Sequence, residues 1–130
     1  MSVFKDTKHI EMILGEFWNE LHEKMGQDFQ DSDLSILFVI KNPDTHLFVA
    51  KDGVSIGDEA KGKKPTITMT MTGEAVHKFW LKKLNLVKAL AKREIKTKGP
   101  VTKVMKFMPM ADPGYELYKE YCEKYNLPLE

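Results

Sequence analysis

Four histidines, one cysteine and nineteen carboxylates are the side chains with which this chain could attack a bond, move a proton or hold a metal. His9, His22, His46 and His77 fall on separate stretches, and none stands in an HExxH or similar ligand spacing. Scattered in this way they read as surface or capping histidines, and no metal is expected. Cys122 lies among Tyr118, Tyr121 and Tyr125, a setting that suits a half-buried packing thiol better than a nucleophile. A single cysteine leaves no internal disulfide and no cysteine-rich zinc site, and it fits a reducing, cytoplasmic setting. No GxSxG, glycine-rich phosphate loop or usefully spaced carboxylate pair occurs. The expected set of catalytic residues is therefore empty, and so is the set of cofactors.

The chemistry that the composition does favour is desolvation. Eight methionines are present, and methionine makes a wall that adapts to irregular shapes. Ile67, Met69, Met71, Val76, Phe79, Trp80, Leu90, Val104, Met105 and Met108 are expected to form an apolar wall for a flexible lipid tail. The plainer alternative is that the same side chains fill an ordinary core. Trp80, next to Leu81, Lys82 and Lys83, is read as packing inward, with a membrane-interface anchor as the other reading.

Charge adds a second pattern although the net charge is only +1. Residues 75–110 carry ten basic side chains and one acid, Glu94, whereas residues 11–33 carry seven acids against Lys24. Lys82, Lys83, Lys103 and Lys106 are expected to rim the apolar wall, where they would meet an anionic membrane transiently or hold a phosphate-bearing head group. A plain solvated surface is the competing reading. Arg93 is the only arginine, so planar phosphate-reading forks are scarce and a nucleic-acid partner is not expected.

The elements that must position these residues are legible from periodicity. Residues 66–72 alternate strictly, with Ile67, Met69 and Met71 on one face and threonines on the other, as in a half-buried strand. The period then becomes helical, first through Val76, Phe79 and Trp80 and again through Val87, Leu90 and Ala91. Ile95 and Thr97 resume alternation. Upstream, Ile10, Ile13, Leu14, Phe17, Leu21 and Met25 mark a helix over residues 7–25, capped by Asp6 or Thr7 and ended by Gly26. Residues 34–40 suit a central strand buried on both faces. Asn42, Pro43 and Asp44 turn the chain into a strand over 46–51, and Asp52-Gly53 is the favoured hairpin turn into a strand over 54–56.

Residues 57–64 read as a charged loop. Pro100 opens a helix with Val101, Val104, Met105 and Met108 on one face, stopped by Pro109. A last helix spans 113–125, with its tyrosines and Cys122 along one seam, and is expected to act as a hinged cover. A chain of 130 residues suits one domain over 1–130 with its own core. The opening residues have no apolar leader region and the longest apolar run, 36–40, is far too short to span a bilayer. The architecture expected from these elements is an α+β sandwich, a twisted five-stranded sheet with helices mainly over one face.

The run from Leu84 through Asn85, Ala89, Lys96 and Gly99 resembles the L-N-P-x-x-A-F-x-x-G-K-L-K-I-x-G segment of sterol carrier protein type 2 domains, and the alternating threonine strand before it is similar to that family's. Leu90 and Ile95 are conservative swaps. Departures are Leu86 for the usual proline, Arg93 for a glycine, Glu94 for a lysine and Thr97 for an inward aliphatic. The resemblance covers residues 7–110 and leaves the last helix, within 111–130, outside; the closing residues are not the peroxisomal tripeptide that some members carry. It implies a mixed, mainly antiparallel sheet in the order 3-2-1-4-5. It also implies a carrier that binds and transfers a lipid or fatty acyl derivative in an apolar tunnel between sheet and helices. Two other classes stand beside it: an accessory scaffold presenting a lipid precursor to biosynthetic enzymes, and, weakest, an acyl thioester-processing enzyme with His77 as the residue to test.

Overall fold

The computed structural model describes residues 3–129. The Asp6 carboxylate accepts the backbone N–H of His9 at 2.9 Å and so starts helix α1 (Thr7–Gln30), settling which of Asp6 and Thr7 is the cap. Ile10, Ile13, Leu14, Phe17, Leu21 and Met25 are buried along one face, joined by Trp18. At Gly26 the backbone turns to φ 62° and breaks the helix where expected, but another turn follows and buries Phe29.

Strands β1 (Ile36–Lys41), β2 (Thr45–Ala50) and β3 (Gly53–Ile56) form an antiparallel meander. Strand β1 is not buried on both faces: Ile36, Phe38 and Ile40 are buried, while Leu37 and Val39 on the opposite face are only half-buried. Pairing of Ala50 with Gly53 puts Lys51 and Asp52 in the hairpin turn, one residue earlier than the Asp-Gly signal indicates. Gly53 instead opens β3 at φ 146°, a backbone that a glycine adopts without strain. The charged segment after β3 is not a bare loop. It holds a helical turn, α2 (Asp58–Lys61), pinned by the fully buried Ala60.

Strand β4 (Ile67–Thr72) then runs parallel to β1, with Ile67, Met69 and Met71 buried as the alternation requires. Ser35 and Thr66 lock the start of this pairing by exchanging backbone and hydroxyl hydrogen bonds of 2.9–3.0 Å. The Thr72 hydroxyl accepts the Ala75 N–H at 3.0 Å to open α3 (Gly73–Trp80), and Asn85 likewise caps α4 (Leu86–Ala91) through Lys88. Strand β5 (Lys96–Lys98) adds to β4, giving one sheet in the order β3-β2-β1-β4-β5 with a single parallel pair. Gly99 follows with φ 117°, and a Cβ there would sit 2.5 Å from the Thr66 carbonyl oxygen, so the close approach of β5 to β4 admits glycine alone.

Helices α5 (Val101–Met110) and α6 (Pro113–Lys124) complete the layer. Pro109 does not stop α5; it lies inside the last turn, which gives up only the hydrogen bond that proline cannot donate. The side chain of Val101 lies outside the described residues. Phe17 is the hub of the core, with ring contacts to Trp80 at 4.9 Å and Tyr118 at 5.3 Å, while Trp18 meets Phe38 at 5.4 Å and stacks on Phe107 at 6.1 Å. Aromatic rings from α1, α3, α5 and α6 thus fill the space above the sheet.

Candidate functional site

The wall residues do not form one continuous surface; they divide between an inner gap and an outer groove. Met69 and Met71 of β4 meet Phe79 and Trp80 of α3, together with Phe38 and Phe107, around an enclosed gap of about 10 Å³ between sheet and helices. Beyond Phe79 the molecule opens into a groove of about 680 Å³, lined by Phe79, the segment from Lys82 to Val87, Met105, Met108 and Tyr115. Among the described residues Phe79 alone lines both spaces, and so stands where they meet. Ile67, Val76 and Val104 are buried core, and Leu90 is half-buried; these four line neither space.

Local backbone chemistry explains why the groove sits where it does. Helix α3 ends when Lys82 turns left-handed at φ 60°, its N–H bonding Phe79 O and the N–H of Lys83 reaching back to Lys78 O at 2.8 Å. That 6→1 and 5→2 pair is a Schellman ending. Arg93 ends α4 in the same way at φ 62°, with Glu94 N–H to Ala89 O at 2.9 Å, and Asn126 repeats it after α6. The first of these turns throws residues 82–85 outward and leaves an open slot between α4, α5 and the start of α6.

On α4 the inward residues are Leu86 and Ala89, not the stripe through Val87 and Ala91. Val87 is 66% exposed and Met105 49% exposed, and both stand at the groove. On α5 the buried face runs through Val104, Phe107 and Ala111, so Met105 points outward and Met108 is half-buried beside the groove. Phe107, Phe38, Leu84 and Tyr115 are site residues that the sequence reading left out; the spacing of Val104, Phe107 and Ala111 was the available signal for the first.

The cationic rim is half as wide as expected. Lys82 and Lys83 line the groove, with the Lys82 Nζ 4.8 Å from the Tyr115 ring centroid, whereas Lys103 and Lys106 do not line it. Burial, followed by the Asp112 charge, holds the Tyr115 hydroxyl above the ordinary tyrosine value.

His77 is neither a surface nor a capping residue. It is buried, with Nε2 at 2.8 Å from the Pro128 carbonyl and Nδ1 at 2.7 Å from the Tyr118 hydroxyl. A carbonyl only accepts, so Nε2 carries the proton and Nδ1 accepts from Tyr118. Burial pushes the imidazole below its ordinary pKa. Cys122 is fully buried, not half-buried, and burial pushes its thiol up to about 11 in spite of the hydrogen bond with Tyr118. That holds the thiol protonated and unreactive. His9 accepts the Lys5 N–H and His22 bonds the Ala50 carbonyl, each within its own neighbourhood. Among the described residues no three His, Cys, Asp or Glu side chains converge as a metal site, and no helix is long and apolar enough to cross a membrane.

Helix α6 is bound into the core and does not have the setting of a hinged cover. Leu117, Tyr118, Tyr121 and Cys122 are buried, Gly114 abuts Trp80, and Tyr121 donates to Glu20 at 2.9 Å. Glu16 accepts from Lys124 Nζ at 2.9 Å and from the Tyr125 hydroxyl, and the Tyr125 and Lys124 bonds hold its carboxyl below the usual range. Only Tyr115, in the first turn, reaches the groove.

Solved structures share this arrangement at low identity. The sterol carrier protein domain 2 of Helicoverpa armigera is 18% identical, with a TM-score of 0.64 over 81% of this chain and 87% of its own. A palmitated SCP2L2 from Aedes aegypti is 18% identical, with a TM-score of 0.56 over 75% and 89%. A protein described as UbiJ-SCP2 Ubiquinone synthesis protein is 17% identical, with a TM-score of 0.53 over 81% and 91%. No curated protein sequence matches the chain. Residues 19–112 match the SCP-2 sterol transfer family, a stretch that runs from within α1 to beyond α5 and takes in every strand and the whole groove apart from Tyr115. With that match over most of its length, the chain belongs to the SCP-2 sterol transfer family.

Proposed function

We propose that this protein is a non-catalytic carrier that binds one lipid or fatty acyl derivative and transfers it within the cytoplasm. The observation that carries the reading is the groove of about 680 Å³, apolar along Phe79, Leu84, Leu86, Met105 and Met108 and cationic at Lys82 and Lys83. Its volume lies within the range of about 300–1,000 Å³ typical of small-molecule sites. The acyl chain lies along the apolar floor, gaining about 25 cal/mol for each Å² removed from water, while an anionic head stays at the two lysines. Rotation of Phe79 joins the groove to the gap lined by Met69, Met71, Trp80 and Phe107, and those adaptable side chains part to admit the chain end. Family membership supports lipid binding in general, and the palmitated relative is a structural neighbour whose lipid is an acyl chain.

A second reading keeps the same groove but makes the protein a scaffold that presents a lipid precursor to biosynthetic enzymes; the ubiquinone-synthesis neighbour favours it. Titration with a fluorescent fatty acyl probe tests the common core of both. Met108→Glu places a charge on the apolar floor and is expected to weaken probe binding by tenfold or more, about 1.4 kcal/mol, with the circular dichroism spectrum unchanged. Equal affinity in that variant would remove the groove as the site.

A further inference from the structure

The sulfurs of this chain differ in what can reach them. Met25, Met69 and Met71 are buried, and Met108 and Met110 are partly covered by the core. Met12 and Met105 are exposed, at 46% and 49%. Cys122, the side chain that would ordinarily meet an oxidant first, is fully buried, and burial pushes its thiol up to about 11, so the reactive thiolate is withheld. Among the described residues the sulfur most open to a dissolved oxidant is therefore thioether, at two places. Met12 is on α1 and lines neither the groove nor the inner gap. Met105 is on α5 and lines the groove together with Phe79, Leu86 and Met108.

We infer that Met105 is a sulfoxidation site through which a peroxide lowers the groove's affinity for its lipid. The inference rests on the reading of the groove as the lipid site, and it adds how that site is regulated. In the step, a lone pair of the Met105 sulfur attacks one oxygen of hydrogen peroxide, and the S–O bond forms as the O–O bond breaks. The other oxygen leaves as hydroxide and takes up, through water, the proton of the transferred oxygen. Sulfur loses two electrons, the peroxide gains them, and the products are methionine sulfoxide and water. The apolar thioether has become a polar group with a hydrogen-bond acceptor, in a form that reductases can reverse. An acyl chain lying along the groove offers that oxygen no donor, so covering it costs its hydration. In the free protein the same oxygen stays wet at an exposed position, and the penalty falls on the bound state alone. Position, not exposure, separates the two methionines: a sulfoxide at Met12 meets water with or without ligand.

The experiment treats the full chain with hydrogen peroxide, locates the added oxygen by peptide mass spectrometry, and titrates the fluorescent fatty acyl probe before and after. Met12 and Met105 are expected to take up oxygen ahead of the buried Met25, Met69 and Met71. Probe affinity is expected to fall about five- to tenfold, and methionine sulfoxide reductases of both epimer specificities restore it. Each variant is compared with its own untreated form. Treated Met12→Leu shows the full loss, and treated Met105→Leu shows almost none. Saturating probe slows oxidation at Met105 and leaves the rate at Met12 unchanged. An unmodified Met105, a loss as large in treated Met105→Leu, or equal rates of protection at both methionines would overturn the proposal. A chain that fails to bind the probe before any treatment would defeat the carrier reading, and this proposal with it. Binding that is tight before treatment and no weaker after it, with Met105 oxidised, would defeat this proposal alone.

Discussion

His77 shows how one buried side chain ties the end of the chain to its middle. Its two nitrogens hold Tyr118 of α6 and the carbonyl of Pro128, so the neutral ring is built into the native state. Because burial lowers its pKa below the ordinary 6.5, the unfolded chain takes up a proton that the folded chain refuses as pH falls through that value. Above 6.5 the contribution of His77 is fully present; below it stability declines until pH reaches the lowered folded value. Urea midpoints measured across this window are expected to fall with pH, and His77→Gln should remove that part of the decline. Arg93 carries a different strain. It occupies a left-handed position at which the resembling segment of the family has glycine, and an L-residue there costs about 1–2 kcal/mol. Arg93→Gly is expected to raise unfolding stability by about 0.5–1 kcal/mol once glycine's own entropy is counted, read from the denaturant midpoint at unchanged slope. The ending at Lys82 was not legible in the sequence, since that position carries no glycine to announce such a turn, and at Arg93 only the resemblance marked one.

At the scale of elements, the packing of α3 on α6 is set by the absence of a side chain. A Cβ on Gly114 would fall 2.4 Å from Trp80 Cζ3, so Gly114→Ala must push the indole or the helix aside. The cost is expected to be about 1–3 kcal/mol, measured by thermal unfolding, with a change in tryptophan fluorescence as Trp80 shifts. Removing residues 111–130 strips Leu117, Tyr118, Tyr121, Cys122 and Leu127 from the core. Such a chain is expected to lose cooperative unfolding in calorimetry, whereas a hinged cover would leave the transition intact. The strand over residues 66–72 and the first helix were legible because one face of each is apolar and the other polar. Phases of α4 and α5 were read one residue off for a physical reason: Val87 and Met105 have the hydrophobicity of core residues but face the groove.

For the whole molecule, the sheet order β3-β2-β1-β4-β5 matches what the resemblance over residues 7–110 implies and could not come from periodicity, which says nothing about which strands are neighbours. The groove is harder still to read, because its lining comes from α3, the turn after it, α4, α5 and the first turn of α6, and so exists only once these have packed. Ten expected wall residues resolve into four at the inner gap and three at the groove, with Phe79 counted in both and the remaining four in the core nearby. On the function proposed above, this surface holds one lipid. Native mass spectrometry of the freshly purified protein, followed by organic extraction and lipid identification, tests it most directly. An acyl or isoprenoid species at near one per chain, displaced by the fluorescent fatty acyl probe, is expected. A chain that is empty and also ignores the probe would contradict it, making the methionine face a filled core and the groove a surface without cargo.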